Sequence, residues 1–198
     1  MRVISGKFGS RRISSAHGMA LRPTSDRLRE TLFDILHSRV EGSFFVDAYA
    51  GTGAVGIEAA SRGARRVAFL EKHRPTVALI RKNLETLGIT EGVEVLPGDV
   101  CRSLAKLAES GEPADILFFD PPYEEKEEYA RVMELLAGSA LVGLHTQVIF
   151  ERTRKLNLPE EYGPLARTRT VTQGDAALDF FTLATRPSSA SDQDTDPE

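Results

Sequence analysis

The chain has 198 residues, which is enough for one well-packed domain. Its hydrophobic content of 41% and charged content of 27% are typical of a soluble globular protein, and no apolar run approaches the roughly 20 residues of a membrane-spanning helix. Cys101 is the single cysteine, so an internal disulfide and a cysteine-based zinc site are excluded, and we expect a reducing, cytoplasmic location.

The net charge of −4 is distributed unevenly along the chain. Residues 1–39 carry eight arginines and lysines against three acids, an excess that can attract phosphates, although a solvated basic face without a partner is the alternative. The last twelve residues, "PSSASDQDTDPE", have no large apolar side chain. We therefore predict a basic N-terminal arm at 1–24, a globular domain at 25–186 that includes its leading helix, and a disordered acidic tail at 187–198.

The stretch "LRPTSDRLRETLFDILHSR" predicts the first helix. Thr24 or Ser25 can cap its N-terminus, and Asp26 stands where the helix dipole favours an acid. The helical spacing of its apolar residues leaves Arg27 and Arg29 on the opposite, exposed face. These apolar residues are Leu28, Leu32, Ile35 and Leu36.

From residue 43 onward, strand and helix patterns alternate. Four apolar stretches, each followed by a helical pattern, predict strands: "SFFVDAY", "RRVAFLE", "VEVLPGDV" and "ADILFFD". A fifth strand, "TQVIFE", precedes "ARTRTVTQ" and "ALDFFTLA", which a turn at Gly174 and Asp175 joins into an antiparallel edge hairpin. The repeated strand–helix units predict an α/β fold with a mostly parallel sheet covered by helices on both faces.

Three glycines follow the first predicted strand and open a helix: Gly51, Gly53 and Gly56. A doubly wound sheet binds its cofactor at this position, because glycine lets the backbone turn sharply and approach a ligand. The motif alone is compatible with NAD, FAD or S-adenosylmethionine.

An acidic residue lies at or just after the end of each of the first three predicted strands. Glu71 can accept hydrogen bonds from both ribose hydroxyls of an adenosine, Asp99 can accept one from an adenine amine, and Asp47 lies where a cationic ligand group is expected. Each could instead be a surface or loop-capping carboxylate, and NAD remains compatible with all three. Together, however, they line the carboxyl edge of the sheet, where such folds bind ligands.

The segment "DPPY" places Asp120, Pro121, Pro122 and Tyr123 directly after the fourth predicted strand. The two prolines stiffen the backbone and leave only carbonyl acceptors. A carboxylate and a carbonyl can accept both N–H groups of an exocyclic amine and free its lone pair to attack a sulfonium methyl placed in line. Tyr123 offers a flat face on which an extruded base can stack. The alternative is an ordinary turn with Tyr123 as a packing aromatic.

The glycine motif "VDAYAGTGAVGIEAASRGA", Glu71, Asp99 and "DPPY", in this order, resemble S-adenosylmethionine-dependent methyltransferases that act on the amine of a nucleic-acid base. The segments "MRVISGKFGSRRI" and "LRPTSDRLRETLFDIL" narrow the resemblance to the RsmD family, bacterial 16S ribosomal RNA guanine-N2 methyltransferases. The similarity runs from residue 1 to about 185. Ser10 and Tyr49 stand where glycine and phenylalanine are common in that family.

The resemblance implies a seven-stranded, Rossmann-like methyltransferase sheet with a small N-terminal β-hairpin or arm that helps to grip RNA. It implies methyl transfer from S-adenosylmethionine to the N2 amine of a guanine in 16S ribosomal RNA, within the small ribosomal subunit or an assembly intermediate. Carried over by position, it assigns cofactor binding to Gly51, Gly53, Glu71 and Asp99, to which the patterns above add Asp47 and Gly56. It assigns guanine binding to Asp120, the Pro121 carbonyl and Tyr123, with Pro122 stiffening the segment.

The basic residues predicted to contact phosphates are Arg11, Arg12, Arg22, Arg27 and Arg29. The four histidines share no ligand spacing, so we expect no metal site. No conspicuous apolar stripe is left over, so we expect a monomer without a membrane partner.

Two other functions use part of these features. A DNA adenine-N6 methyltransferase shares the glycine motif and "DPPY" but usually carries a separate target-recognition region. This chain has little room for one, because fewer than 50 residues precede the first predicted strand and no long insertion follows Tyr123. A nicotinamide-dependent oxidoreductase or nucleotide-binding module explains the glycines and Glu71 but leaves "DPPY" and the basic arm without a role.

Overall fold

The structure, a computed structural model, describes residues 1–15, 25–122 and 126–184. Arg22, Tyr123 and the acidic tail, for which the sequence made specific predictions, lie outside the described residues. The helices are α1 Asp26–Leu36, α2 Ala54–Ser61, α3 Arg74–Leu87, α4 Val100–Ala108 and α5 Lys126–Leu136, with a short 3-10 helix His37–Arg39 after α1. The strands are β1 Phe44–Ala48, β2 Arg66–Glu71, β3 Val93–Pro97, β4 Ala114–Phe119, β5 Val142–Thr153, β6 Glu161–Tyr162, β7 Leu165–Gln173 and β8 Ala176–Leu183.

The helix boundaries follow local signals in the sequence. The Ser25 hydroxyl accepts a hydrogen bond from the Leu28 amide at 3.1 Å, so α1 begins where the capping pattern predicted. Pro75 lies in the first turn of α3, and Gly88 ends that helix in the left-handed conformation with φ of 70°.

The strands form one sheet in the order β3-β2-β1-β4-β5-β8-β7-β6. β1 to β5 pair in parallel, whereas β8 is antiparallel to β5 and β7 is antiparallel to β8. The predicted α/β sheet and its antiparallel hairpin are therefore confirmed. The sheet has eight strands rather than seven because the two-residue β6, which is too short to show a strand pattern in the sequence, pairs with β7.

The sheet is buried on both faces. Phe45 belongs to a core formed with the apolar sides of α1, α2 and α3. Its neighbours Phe44 and Val46 belong to a second core formed with α4 and α5. This alternation follows from the two-residue period of a strand. Within the described ranges, no helix is long and apolar enough to cross a membrane.

Residues 1–15 form a hairpin, here called the arm. The Val3 amide donates to the Arg11 carbonyl at 3.0 Å, and the Ser10 amide donates back to the Val3 carbonyl at 2.9 Å. Ser10 has φ of 67°, a left-handed conformation that glycine adopts more readily, which agrees with the glycine common at this position in the family it resembles.

The arm is docked on α2. The carboxylate of Glu58, which is fully buried, accepts hydrogen bonds from the amides of Ile4 at 2.7 Å and Ser5 at 3.0 Å. Gly6 passes so close to α2 that a Cβ atom there would lie 2.0 Å from the Ser61 carbonyl oxygen. The arm is therefore packed against α2 as part of the folded domain.

Candidate active site

The order of strands reverses between β1 and β4, and the candidate site lies at the carboxyl edge there. β1 pairs with β2 on one side and with β4 on the other. The backbone amide of Asp120, just after β4, donates to the carbonyl of Ala48, the last residue of β1, at 3.4 Å. Because the glycine turn starts directly after β1, the predicted base-binding segment and the predicted cofactor-binding turn are adjacent.

The glycine turn needs its glycines for different reasons. Gly51 and Gly53 have φ of 54° and 77°, in the left-handed region. Among the described residues other than its chain neighbours, only the Tyr49 carbonyl oxygen would lie within 4 Å of a Cβ on Gly51, at 3.9 Å, so this residue leaves space for a ligand. A Cβ on Gly56 would lie 2.3 Å from the Phe69 ring, so this residue allows α2 to pack tightly on β2.

Asp47 supports the glycine turn from inside the protein. Its side chain is 2% exposed, and its Oδ2 accepts a hydrogen bond from the Gly56 amide at 2.7 Å. Burial, together with the nearby charge of Glu71, raises the pKa of Asp47 to about 8, although the hydrogen bond from Gly56 opposes this shift. The observed contact of Asp47 is thus with the backbone that forms the turn.

Glu71 connects the glycine turn to the start of α3. Its Oε2 accepts a hydrogen bond from the Gly51 amide at 2.9 Å, and its Oε1 accepts one from the His73 amide at 2.7 Å. Each carboxylate oxygen has further acceptor capacity, so a ribose diol reaching the open side of Gly51 would find two fixed acceptors. This geometry fits the predicted nucleoside-binding role.

Asp99 lies at the N-terminus of α4 and has two observed partners. Its Oδ1 accepts from the Arg102 amide at 3.0 Å and thereby caps the helix. Arg131 of α5 donates to both of its carboxylate oxygens, at 2.9 Å and 3.0 Å. Burial favours the neutral acid, but these hydrogen bonds and positive charges outweigh it and lower the pKa of Asp99. Asp99 is therefore an ionised acceptor at the predicted adenine position.

Sequence patterns did not reveal the network that reaches Asp99 from β1. The Tyr49 hydroxyl donates to Glu128 of α5 at 2.7 Å, and Glu128 accepts from Arg131 at 3.0 Å. Burial and the bond to Glu128 raise the pKa of Tyr49, so the hydroxyl stays protonated as the donor. Glu128 and Arg131 are neighbours on α5, but Tyr49 and Asp99 stand 79 and 32 residues away from their partners on that helix, so only the fold brings the network together.

The described part of the "DPPY" segment is only partly at the surface. Asp120 is half-buried, Pro121 is buried and Pro122 is exposed. Tyr129 of α5 is buried, and burial raises its pKa. The charges of Asp120 and Glu151 raise it further, so Asp120 lies near α5 as well as β1. Asp120 is thus neither enclosed in the core nor separated from the glycine turn.

The predicted phosphate contacts do not share one environment. Arg12 and Arg27 are exposed. The guanidinium of Arg11 donates to the carbonyls of Leu87 at 2.9 Å and Thr86 at 2.8 Å, which fastens the arm to the C-terminus of α3.

The prediction that Arg29 lies on an exposed face is wrong. Its side chain is 0% exposed because the arm covers this side of α1. Its Nη2 donates to the Arg2 carbonyl at 2.6 Å and to Asp26 at 3.1 Å. Burial lowers the pKa of Arg29, with the charges of Asp26 and Glu58 acting against the shift. Its position under the arm does not allow contact with an external phosphate.

A cleft with a modest excess of positive charge, here called the basic cleft, runs between the arm, α1 and α3. It comprises two adjoining depressions of about 510 Å³ and 1040 Å³, which share Arg2, Ser10 and Asp26. Arg27 and Glu30 complete the charges of the first depression, in which the two cations are balanced by two acids. Arg12 and Lys82 line the second, in which the three cations outnumber the single acid, Asp26. Arg2 and Lys82 were not predicted as phosphate contacts, because only the fold brings them beside Arg12. Among the described residues, no group of three or more histidine, cysteine or acidic side chains could hold a metal ion.

Comparisons with known proteins give matches that cover most of this chain. The family model described as "Conserved hypothetical protein 95" matches residues 1–182. The Bacillus subtilis (strain 168) protein YlbH is 32% identical over 174 residues, which cover 88% of this chain and 94% of that protein. The Escherichia coli (strain K12) protein named ribosomal RNA small subunit methyltransferase D is 34% identical over 153 residues, 75% of each chain. The solved structure of yhhF from Escherichia coli has 29% identity and a TM-score of 0.79, and the match covers 94% of this chain and 99% of that one.

Proposed function

This chain belongs to the RsmD family of methyltransferases, and on that premise we propose that it transfers a methyl group from S-adenosylmethionine to the exocyclic N2 amine of a guanine in 16S ribosomal RNA. The substrate would be the small ribosomal subunit or an assembly intermediate. The observation that carries the proposal is the adjacency of Asp120 to the end of β1, where the glycine turn begins.

The cofactor half of the site consists of acceptors held at fixed positions. Glu71 is anchored by the amides of Gly51 and His73, and Asp99 is anchored by the Arg102 amide and Arg131. These carboxylates match the ribose diol and the adenine amine of an S-adenosyl ligand. S-adenosylmethionine, when bound, supplies a methyl group activated by its sulfonium charge.

The base half of the site supplies the chemistry on the nitrogen. The Asp120 carboxylate and the Pro121 carbonyl accept hydrogen bonds from the two N–H groups of the guanine amine. These bonds reduce the delocalisation of the nitrogen lone pair into the ring and direct it toward the methyl group of the cofactor. The methylated nitrogen then releases one proton, which the Asp120 carboxylate accepts or passes to water. Most of the rate enhancement comes from positioning and electrostatics. Tyr123, the next residue but one after Pro121, would stack on the extruded base.

The surface beside the site supports an RNA substrate. Arg2, Arg12, Arg27 and Lys82 line the cleft between the arm, α1 and α3, within a chain whose net charge is −4. A local basic surface on an acidic protein attracts phosphates without making the whole molecule bind polyanions indiscriminately.

The decisive experiment uses labelled S-adenosylmethionine with three substrates: undermodified small subunits, naked 16S RNA and duplex DNA. We expect label on one guanine of the RNA, and digestion to nucleosides should release N2-methylguanosine. Label on adenine, label in DNA, or absence of transfer to any of the three would contradict the proposal.

A further inference from the structure

One buried side chain joins the arm to the glycine turn. Asn83 lies on α3 and is 1% exposed. Its Oδ1 accepts a hydrogen bond from the Ser14 amide at 2.8 Å, and its Nδ2 donates to the Ser14 carbonyl at 3.1 Å. The same Nδ2 donates to the Thr52 carbonyl at 3.0 Å, inside the glycine turn. A primary amide has two N–H donors, and both are used here.

The orientation of the Thr52 carbonyl affects the conformation of the glycine turn. Thr52 stands between Gly51 and Gly53, both with left-handed φ, and because glycine has many backbone conformations available, hydrogen bonds to the turn are needed to select one of them. The Gly53 amide, in the same peptide unit as the Thr52 carbonyl, donates to the Ala50 carbonyl at 2.7 Å. The peptide unit between Thr52 and Gly53 is therefore held on both sides: its carbonyl accepts from Asn83, and its N–H closes the turn on Ala50.

A second contact joins the same two segments. The Thr52 hydroxyl lies 3.8 Å from the sulfur of Met1, the first residue of the arm. Both strands of the arm hairpin thus reach Thr52, one directly through Met1 and the other through Ser14 and Asn83.

We propose that Asn83 is a positioning residue that makes the shape of the cofactor-binding turn depend on the docked arm, so that the arm contributes to cofactor affinity as well as to the RNA surface. The inference rests on the proposed function, because it takes the glycine turn as the S-adenosyl site. Its consequence is that loosening Ser14 from Asn83 weakens cofactor binding although Ser14 lies outside the turn.

Arg11 provides a matched control. Arg11 also fastens the arm to α3, through the carbonyls of Thr86 and Leu87, but none of its described hydrogen bonds reaches the glycine turn. Asn83→Ala removes the hydrogen bonds to Ser14 and to Thr52, whereas Arg11→Ala removes a different contact between the arm and α3 and leaves the Ser14–Asn83–Thr52 hydrogen bonds in place.

The test measures binding of S-adenosylhomocysteine by calorimetry and the steady-state kinetics of the full chain. Losing a buried hydrogen bond of ordinary strength should raise the dissociation constant of Asn83→Ala roughly five- to tenfold, whereas that of Arg11→Ala should stay within about twofold of wild type. The KM for S-adenosylmethionine should rise in Asn83→Ala with kcat retained at saturation. A purely structural defect would instead reduce the active fraction, lowering kcat and leaving KM unchanged.

An experiment on the wild-type protein keeps the inference testable if Asn83→Ala does not fold. Adding S-adenosylhomocysteine should slow hydrogen exchange at the Ser14 amide, which donates to Asn83, as well as within the glycine turn. Protection of the turn without protection of Ser14, or equal cofactor affinity in Asn83→Ala and wild type, would overturn the inference. Failure of the wild type to bind S-adenosylhomocysteine would instead refute the proposed function.

Discussion

The Gly51 amide and the Glu71 carboxylate are joined by a hydrogen bond of 2.9 Å between the end of β2 and the turn after β1. The same carboxylate accepts from the His73 amide at the start of α3. Glu71 is thus fixed by two backbone donors before any ligand arrives. An acceptor held in this way loses little conformational entropy on binding a diol.

This arrangement predicts the effect of replacing Glu71 by glutamine. Glu71→Gln keeps the side-chain length but loses the charge and one of the two acceptor oxygens. Because hydrogen bonds to charged groups contribute about 1.5–3 kcal/mol, the dissociation constant of S-adenosylhomocysteine should rise at least tenfold. Calorimetry would measure this change, with Glu85→Gln on the exposed side of α3 as the control. Equal affinities of the Glu71 variant and wild type would exclude Glu71 from the cofactor site.

Asp120→Asn should affect turnover more than cofactor binding. Asparagine retains an acceptor for the guanine amine but removes the charge that stabilises the nitrogen as it becomes positive. Removing one preorganised electrostatic interaction of this kind lowers kcat by about 100-fold or more. Single-turnover methylation of RNA should show this loss, while S-adenosylhomocysteine affinity stays within twofold. Turnover at the wild-type rate would mean that the negative charge is not required.

The exposed cations of the basic cleft should act through counterion release. The double variant Arg12→Ala, Arg27→Ala should bind 16S RNA more weakly, and the slope of log affinity against log salt should become shallower by roughly 0.7–0.9 for each phosphate that the protein no longer neutralises. Filter binding at several salt concentrations measures the slope. Lys155→Ala, in the exposed connection after β5, is the control and should leave it unchanged. An unchanged slope in the double variant would place the RNA elsewhere.

The strands and helices could be predicted from the sequence because their apolar patterns, and the glycines and prolines at their ends, lie within short segments of the chain. β1, β2 and β4 each contain an uninterrupted apolar run, as strands buried on both faces should: FFV, VAFL and ILFF. Gly88 ends α3 where it was expected. The acids at strand ends could be placed on one edge because parallel strands bring their carboxyl ends together.

The parts that the sequence did not predict depend on contacts between distant segments. Arg29 belongs to a face of α1 that looks polar in the sequence, and it is buried because the arm docks over that face. Glu58 and Asn83 likewise look like ordinary polar helix residues, yet they hold the arm. Arg131 reaches Asp99 across 32 residues of chain. No local pattern encodes such pairs, so only the fold reveals them.

The buried Asp47 predicts a pH dependence of stability. Burial raises its pKa from the ordinary 3.8 to about 8, so the neutral acid is favoured in the folded protein. Because the folded-state pKa lies above the unfolded one, this stabilisation is complete below about pH 4 and is lost as the pH rises through 8. Asp47→Asn imitates the neutral acid and keeps an acceptor for the Gly56 amide. The melting temperature of wild type should therefore fall relative to that of Asp47→Asn between pH 5 and pH 9, as followed by circular dichroism. Asp34→Asn, at an exposed position of α1, is the control and should track wild type. Parallel curves for wild type and Asp47→Asn would show that the carboxyl group ionises equally in the folded and unfolded chains.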